Sequence, residues 1–260
     1  MGNGGAGHRT RCGSIREVEF YMRVDVAFLP QEIEGRDLGR VVAIVIDVLR
    51  ASTTIATAIA SGCEEIIPTA SIEEAVEIAK GYGRSDSLLG GERKGTKVEG
   101  FDLGNSPLEY TPDKLKGKKL IFTTTNGTGA IKAVKNAGVV LVGSFINLSS
   151  AAEKARAGEM DILILCAGEG KKFALEDAIC AGMMADRILS QGPAEESDSC
   201  VAARKIYEAF EGDLASALAS SAHGRYLMSI GFREDIEVAA RVDQVSVVPY
   251  LCEGQTIRAM

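Results

Sequence analysis

Short, unbroken apolar runs recur along the chain. Val41–Ile46 is the strongest, followed by Leu120–Phe122, Val139–Val142 and Ile162–Leu165. A run without polar alternation is expected of a parallel strand covered on both faces. Val24–Leu29 and Glu65–Pro68 are weaker strand signals, and Ser246–Leu251 reads as a late edge strand. Helical spacing fills the intervals. Ser71-Ile72-Glu73-Glu74 forms a capping-box pattern ahead of Ile72, Ala75, Val76 and Ala79. Leu175–Leu189 repeats apolar residues at 175, 178, 179, 182 and 185, and Asp198–Ala219 is a longer pattern with a break near Gly212. The alternation predicts an α/β fold in three layers, a mostly parallel sheet flanked by helices. One domain over residues 22–260 is expected, with a helical addition near 195–230. Residues 1–21 read as a flexible N-terminal extension, with Met22 a candidate start.

Composition narrows the partners. The 260 residues are 46% apolar and 25% charged, ordinary for a globular chain. A net charge of −7 argues against a nucleic-acid partner, which needs a basic surface. No apolar run nears the ~18–20 residues that cross a bilayer, so no membrane association is expected. Residues 1–21 lack the apolar stretch of a secretion signal, and a cytoplasmic location is the expectation. Six cysteines without a C-x-x-C pair build neither a zinc site nor a compact disulfide framework. Cys166 and Cys180 are expected as reduced core residues.

Two histidines, His8 and His223, leave little scope for His-based chemistry. His223 is read as structural or surface. Any metal must then be held mainly by oxygen, which favours Mg²⁺ or Mn²⁺. Gly2-Asn3-Gly4-Gly5-Ala6-Gly7 matches a dinucleotide fingerprint formally, but no strand precedes it. Gly90-x4-Gly95 is followed by Thr-Lys and is not a P-loop.

Candidate chemistry sits where predicted strands run into helices. Ile46-Asp47-Val48-Leu49-Arg50 leads to Ser52, Thr53 and Thr54. Phe122-Thr123 leads to Thr124, Thr125, Asn126, Gly127 and Thr128. Cys166-Ala167-Gly168-Glu169-Gly170 leads to Glu176 and Asp177. Ligands of open parallel sheets bind beyond the carboxyl ends of strands, and all three polar ends are expected on one edge. Helix N-termini there favour anions. The segment Gly90-Gly91-Glu92-Arg93-Lys94-Gly95-Thr96-Lys97 concentrates glycine and cations beyond what a connecting loop needs.

These segments, with Gly100-Phe-Asp-Leu-Gly-Asn-Ser-Pro107 and Glu176-Asp-x-x-Cys-x-Gly182, together resemble the 2-phosphosulfolactate phosphatase family, in that family's order and from about residue 22 onward. The resemblance implies a family-specific α/β topology and Mg²⁺-dependent hydrolysis of 2-phospho-3-sulfolactate to 3-sulfolactate and phosphate. It also implies a role in coenzyme M biosynthesis or sulfolactate metabolism. The expected partner is a small anionic phosphorylated sulfonate, and a homodimer is allowed for. Asp47, Arg50, Glu92, Arg93 and Asp177 are the expected catalytic residues. Asp47, Glu92 and Asp177 are expected to converge on one Mg²⁺, with Glu176 as substitute ligand. Arg50, Ser52, Thr53, Thr54, Arg93, Lys94, Thr124, Thr125, Asn126, Gly127 and Thr128 are expected around the substrate.

Two other readings compete. One is a noncatalytic binder of a phosphorylated or sulfonated metabolite, which needs cations but not clustered acids. The other is a phosphatase or phosphotransferase acting on another small substrate through an aspartyl-phosphate on Asp47. The haloacid-dehalogenase pattern places a second Asp two residues after the nucleophile; position 49 is Leu. Direct attack by water is therefore the expected route.

Overall fold

The computed structural model describes residues 1, 22–83, 85–252 and 255–260. The extension expected over residues 1–21 lies, Met1 apart, outside them, as do His8 and Cys12. The elements are β1 (Arg23–Ala27), β2 (Val41–Ile46), α1 (Ala51–Ala60), β3 (Glu65–Pro68), α2 (Ile72–Ala79), β4 (Ser87–Arg93) and β5 (Thr96–Lys97). Next come α3 (Pro112–Leu115), β6 (Lys119–Thr123), α4 (Gly127–Ala133), β7 (Val139–Gly143), α5 (Leu148–Arg156), β8 (Asp161–Cys166) and α6 (Leu175–Leu189). The chain ends with β9 (Glu195–Glu196), α7 (Asp198–Phe210), α8 (Leu214–Ser220), α9 (Ala222–Ser229), α10 (Arg233–Ala239), β10 (Pro249–Leu251) and β11 (Ile257–Ala259).

The described strands form one 11-stranded sheet in the order β5-β4-β6-β3-β11-β10-β7-β2-β8-β1-β9. The fold is α/β with helices on both faces. Along β2, Val42, Ile44 and Ile46 pack with α5, α6 and α7, while Ala43 and Val45 pack with α1 and α4. Successive side chains point to opposite faces, and both faces are covered. That is why the run carries no polar residue. A smaller core joins α2, through Ala75, to Ile121 of β6 with Val98 and Phe101. Cys63, Cys166, Cys180 and Cys200 are buried free thiols. No helix among the described residues is long and apolar enough to cross a membrane.

The sheet contains two parallel blocks, β4-β6-β3 and β7-β2-β8-β1-β9. Between them lies the C-terminal hairpin β10–β11, with antiparallel pairings to β7, within itself and to β3. Three successive antiparallel pairings make the two blocks run in opposite senses. This corrects the single carboxyl edge expected for Asp47, Thr124 and Glu169. Asp47 and Glu169 follow strands of one block, and Thr124 follows a strand of the other. In a flat sheet those ends would lie on opposite edges. They meet all the same: a Cβ on Gly127, just past Thr124, would stand 2.8 Å from Asp47 Oδ2. Ser246–Leu251 is corrected as well: its strand is Pro249–Leu251, paired on both sides and not at an edge. Glu65, buried on β3, holds the hairpin by ion pairs to Lys119 of β6 and to Arg258 of β11.

Part of the glycine-rich segment is regular structure, not loop. Residues 87–93 are β4, and β5 folds back on it with Glu92 opposite Lys97 and Arg93 opposite Thr96. The two-residue turn is Lys94-Gly95, with φ of 50° and 74°. Positive φ at both turn positions matches the twist of the flanking strands. The Asp198–Ala219 pattern breaks as expected: α7 stops at Phe210, and Asp213 caps α8 by accepting from Ser216 N–H at 3.0 Å. Helices continue to Ala239 in α10.

Gly91 sets the closeness of β4 to β6. Its φ is +142°, and a Cβ there would fall 2.0 Å from the Thr123 carbonyl oxygen. Gly91→Ala is expected to cost several kcal/mol and lower Tm by on the order of 10 °C. Gly100, with φ +80° and open space within 4 Å of where a Cβ would stand, provides the control. Gly100→Ala should cost only about 1–2 kcal/mol of backbone strain. Equal Tm values for the two variants, by circular dichroism, would contradict this account.

Candidate active site

The turn after β2 is built by hydrogen bonds to Asp47. Ser52 Oγ donates to the Asp47 carbonyl at 2.8 Å and accepts from its N–H at 3.1 Å. Asp47 Oδ1 accepts from Ala51 N–H at 3.2 Å. Thr53 Oγ1 donates to the Val48 carbonyl at 2.9 Å, and Thr54 Oγ1 to the Asn105 carbonyl at 2.8 Å. These three hydroxyls are buried and engaged within the protein. Ser52, Thr53 and Thr54, expected around the substrate, do not line the cavity described below.

Arg50 follows in the same turn and is 2% exposed. Its Nη1 donates to Asp235 Oδ2 of α10 at 2.6 Å, and its Nη2 donates to the Gly95 carbonyl at 2.5 Å. The guanidinium lies 4.3 Å from the Phe232 ring centroid. Most of its charge and donors are used in holding these segments. Arg93 Nη1 donates to the Glu92 carbonyl at 2.7 Å and its Nη2 to Thr123 Oγ1 at 2.9 Å. It does not line the cavity described below, contrary to expectation.

Glu92 is 7% exposed and ties the hairpin to the β6–α4 turn. Its Oε2 accepts from Gly95 N–H at 2.7 Å and its Oε1 from Thr125 N–H at 2.8 Å. Thr124 Oγ1 accepts from Thr128 N–H at 3.3 Å, and Thr128 Oγ1 donates back to the Thr124 carbonyl at 3.1 Å. Gly127 packs against the block that contains β2, since a Cβ there would stand 2.8 Å from Asp47 Oδ2. Thr128 and Gly127 thus shape the wall from behind.

A cavity of about 330 Å³ opens between these elements. Asp47, Arg50 and Glu92 line it with Thr124, Thr125 and Asn126. Lys94 and Asn105 reach it from the other side, and Glu169, His223 and Tyr226 complete it. Lys94 has no ion-pair partner among the described residues, whereas Arg50 has Asp235. Asn105 is 5% exposed, and its Oδ1 is buried without a donor. His223 Nδ1 lies 3.0 Å from Glu169 Oε1. Tyr226 donates its hydroxyl to the Lys94 carbonyl at 2.9 Å, joining α9 to the hairpin tip.

The acids divide by their hydrogen bonds. Asp177 Oδ1 accepts from Val48 N–H at 2.9 Å and its Oδ2 from Gly168 N–H at 3.1 Å. It clasps the turns after β2 and β8, and neither it nor Glu176 lines the cavity. Asp47 does, and among the described residues its Oδ2 has no donor. Burial pushes the Asp47 carboxyl up to about 6, helped by Glu92 and Glu176 and opposed by His223 and the Ala51 N–H. Burial first, then Asp47 and Glu176, raises Asp177 well above the usual carboxylate range. Burial likewise raises Glu176.

The described residues do not show the expected convergence of Asp47, Glu92, Asp177 and Glu176 on one ion. Among the described residues, no three His, Cys, Asp or Glu side chains are grouped to hold a metal. Glu92 and Asp177 engage both carboxylate oxygens with backbone N–H groups. A smaller donor set does fit. Mg²⁺ is commonly bound by one or two carboxylates together with substrate phosphate. Asp47, with a free oxygen amid acids that raise one another, suits such an ion.

Comparison with known proteins agrees with the motif order. The family model described as 2-phosphosulpholactate phosphatase matches residues 27–254. This chain belongs to the 2-phosphosulpholactate phosphatase family. A protein of Caldanaerobacter subterraneus named "Probable 2-phosphosulfolactate phosphatase" is 41% identical over 222 residues, covering 85% of this chain and 92% of the relative. A relative of the same name from Clostridium acetobutylicum is 38% identical over 237 residues, 91% of this chain and 100% of its own length. A third, from Symbiobacterium thermophilum, is 39% identical, covering 87% of this chain and 96% of the relative.

In this member of the 2-phosphosulpholactate phosphatase family, several cavity residues escaped the sequence reading. His223, read as structural or surface, faces the cavity. Asp235 and Tyr226 carried no motif signal, because their roles depend on α9 and α10 reaching Arg50 and the hairpin tip; Asn105 stood within the Gly100–Pro107 motif but was not singled out. The scarcity of histidine was the one available hint for His223.

The raised Asp47 pKa has a consequence for stability. In the fold the carboxyl titrates near 6, against 3.8 ordinarily. The unfolded chain therefore binds fewer protons between those values, and stability falls as pH rises through that window. The full penalty, present above pH 6, is about 3 kcal/mol at 1.36 kcal/mol per unit. Asp47→Asn should therefore be more stable than wild type at pH 8 by up to about that amount, converging near pH 4. Urea unfolding in EDTA measures the difference; one that does not change with pH would contradict it.

Proposed function

We propose that this protein is a Mg²⁺-dependent phosphoric monoester hydrolase that converts 2-phospho-3-sulfolactate to 3-sulfolactate and phosphate. The supporting observation is the charge of the cavity. Asp47, Glu92 and Glu169 face it with only Arg50 and Lys94 as fixed cations, and Arg50 is paired with Asp235. A ligand carrying phosphate, sulfonate and carboxylate would be repelled there without an added cation. The family membership and the names of the relatives supply the substrate; the lining supplies the reason for Mg²⁺. We place the product in coenzyme M biosynthesis or sulfolactate metabolism.

Asp47 would hold the ion together with the phosphate, and the ion when bound supplies charge neutralisation at the transferring phosphoryl group. Phosphoryl transfer is mainly positioning and electrostatics. Lys94, free of an acid, pairs with a non-reacting anion of the substrate. The Asn105 amide and the Thr125 hydroxyl offer neutral hydrogen bonds. Glu92 keeps Thr125 and the hairpin tip at a fixed spacing, so the two blocks grip opposite ends of one ligand. Water attacks phosphorus directly in this reading.

Phosphate release from 2-phospho-3-sulfolactate tests it. Release with Mg²⁺, loss in EDTA and recovery on adding Mg²⁺ are expected. No release under any condition would leave a noncatalytic binder, and release indifferent to EDTA would remove the metal. Lys94→Ala should raise KM by about 10- to 100-fold, the range of a lost charged hydrogen bond, with kcat little changed. Borohydride reduction of a quenched reaction should leave Asp47 unmodified. Homoserine at position 47 would make Asp47 the nucleophile instead.

A further inference from the structure

We infer that His223 is the general acid that protonates the departing oxygen of the substrate. The inference rests on the hydrolase reading above. Its first support is placement. His223 stands in the first turn of α9 and lines the cavity together with Asp47 and Glu169. Ser221 caps that helix by accepting from Gly224 N–H at 2.9 Å, which fixes where the ring emerges. The second support is the ring's own hydrogen bond. Nδ1 lies 3.0 Å from Glu169 Oε1, so the proton on Nδ1 is directed to a carboxylate. Nε2 is then the nitrogen left to exchange a proton with a ligand. The ring is also confined by Tyr226, with centroids 6.0 Å apart.

Chemical need is the third support. The leaving group is the alkoxide of a secondary alcohol, a poor one without a proton. Among the cavity residues, Arg50 is locked to Asp235 and Lys94 is assigned above to a non-reacting anion of the substrate. Glu92 engages both oxygens with backbone N–H groups. With Asp47 assigned to the ion and Nδ1 turned to Glu169, Nε2 of His223 is the lining group left to face the departing oxygen as a donor. In the step, the oxygen of water bonds to phosphorus as the bond from phosphorus to the 2-oxygen breaks. The electron pair of that bond goes to the 2-oxygen, which takes the proton from Nε2 and leaves as the alcohol. The attacking water releases its proton to solvent, and solvent reprotonates the imidazole. No oxidant or further reactant is required.

A purely structural His223, tying α9 to Glu169, would also lower activity when removed. Two measurements on 2-phospho-3-sulfolactate separate the cases. His223→Gln keeps an amide able to bond Glu169 and should retain the wild-type Tm, while kcat falls on the order of 10²–10⁴-fold. Substrate carrying ¹⁸O at the bridging 2-oxygen should then show a larger isotope effect on kcat/KM in the variant than in wild type. Without a proton donor, more charge builds on that oxygen at the transition state. A rate loss with an unchanged bridging isotope effect would overturn the assignment. So would a variant with wild-type kcat. Failure of the hydrolase reading looks different: the wild-type protein would release no phosphate at all.

Discussion

A single buried guanidinium organises the site. Arg50, 2% exposed, could not be buried alone, since an unpaired charge removed from water is strongly destabilising. Its neighbours answer that requirement from two distant parts of the chain. Asp235 comes from α10, the Gly95 carbonyl from the hairpin tip and the Phe232 ring from the start of α10. Asp235 in turn accepts from Ser106 Oγ at 2.6 Å, which brings in the segment after Gly104. Loss of either partner of such a pair leaves a bare buried charge, a cost of about 3–5 kcal/mol. The cavity walls therefore exist as a set. They are the segments that satisfy Arg50, with Asp47 three residues before it on the same turn.

The same constraint explains how a sheet of two opposed blocks carries one site. β2 and β8 deliver Asp47 and Glu169, while β4 and β6 deliver Glu92 and Thr124 from a block of opposite sense. The C-terminal hairpin alone joins the blocks within the sheet, through single bridges at Tyr250–Leu141 and Ile257–Ile66. Two further links close the gap on the ligand side. Arg50 Nη2 reaches the Gly95 carbonyl, and Asp47 lies against Gly127. Because residues of both blocks line one cavity, a ligand with several anionic ends could touch both at once.

Much of this was legible in the sequence, for reasons that also mark where legibility stopped. β2 and β3 occupy the predicted ranges because an apolar run buried on both faces is a local signal. The clustering of Asp47, Glu92 and Thr124–Asn126 around one cavity followed from polar residues at strand ends. The reversal between blocks was not legible, because it rests on two short, late strands whose partners are far away in sequence. Nor was the place of α9 and α10 over the cavity, since Asp235 and His223 act through contacts with residues 185 and 54 positions away. Sequence showed where polar residues gather. It did not show which of their atoms remain free.

That last distinction separates structure from chemistry at this site. Asp177 and Asp47 are both buried acids with raised pKa values, and composition alone gives them equal standing. Asp177 has both oxygens on backbone N–H groups of the two turns it joins, so its role is complete without a ligand. Asp47 has one oxygen bonded to Ala51 and one open to the cavity. The hydroxyls divide likewise. Ser52, Thr53 and Thr54 satisfy carbonyls of their own turn and of Asn105, whereas the exposed Thr125 donates its N–H to Glu92 and keeps its side chain for solvent or ligand. Among cations, Arg50 is structural and Lys94 is free. Buried polar groups are almost always paired in folded proteins. Those that stay unpaired around one cavity, Asp47 Oδ2 and the Asn105 amide oxygen among them, mark where a ligand completes the fold.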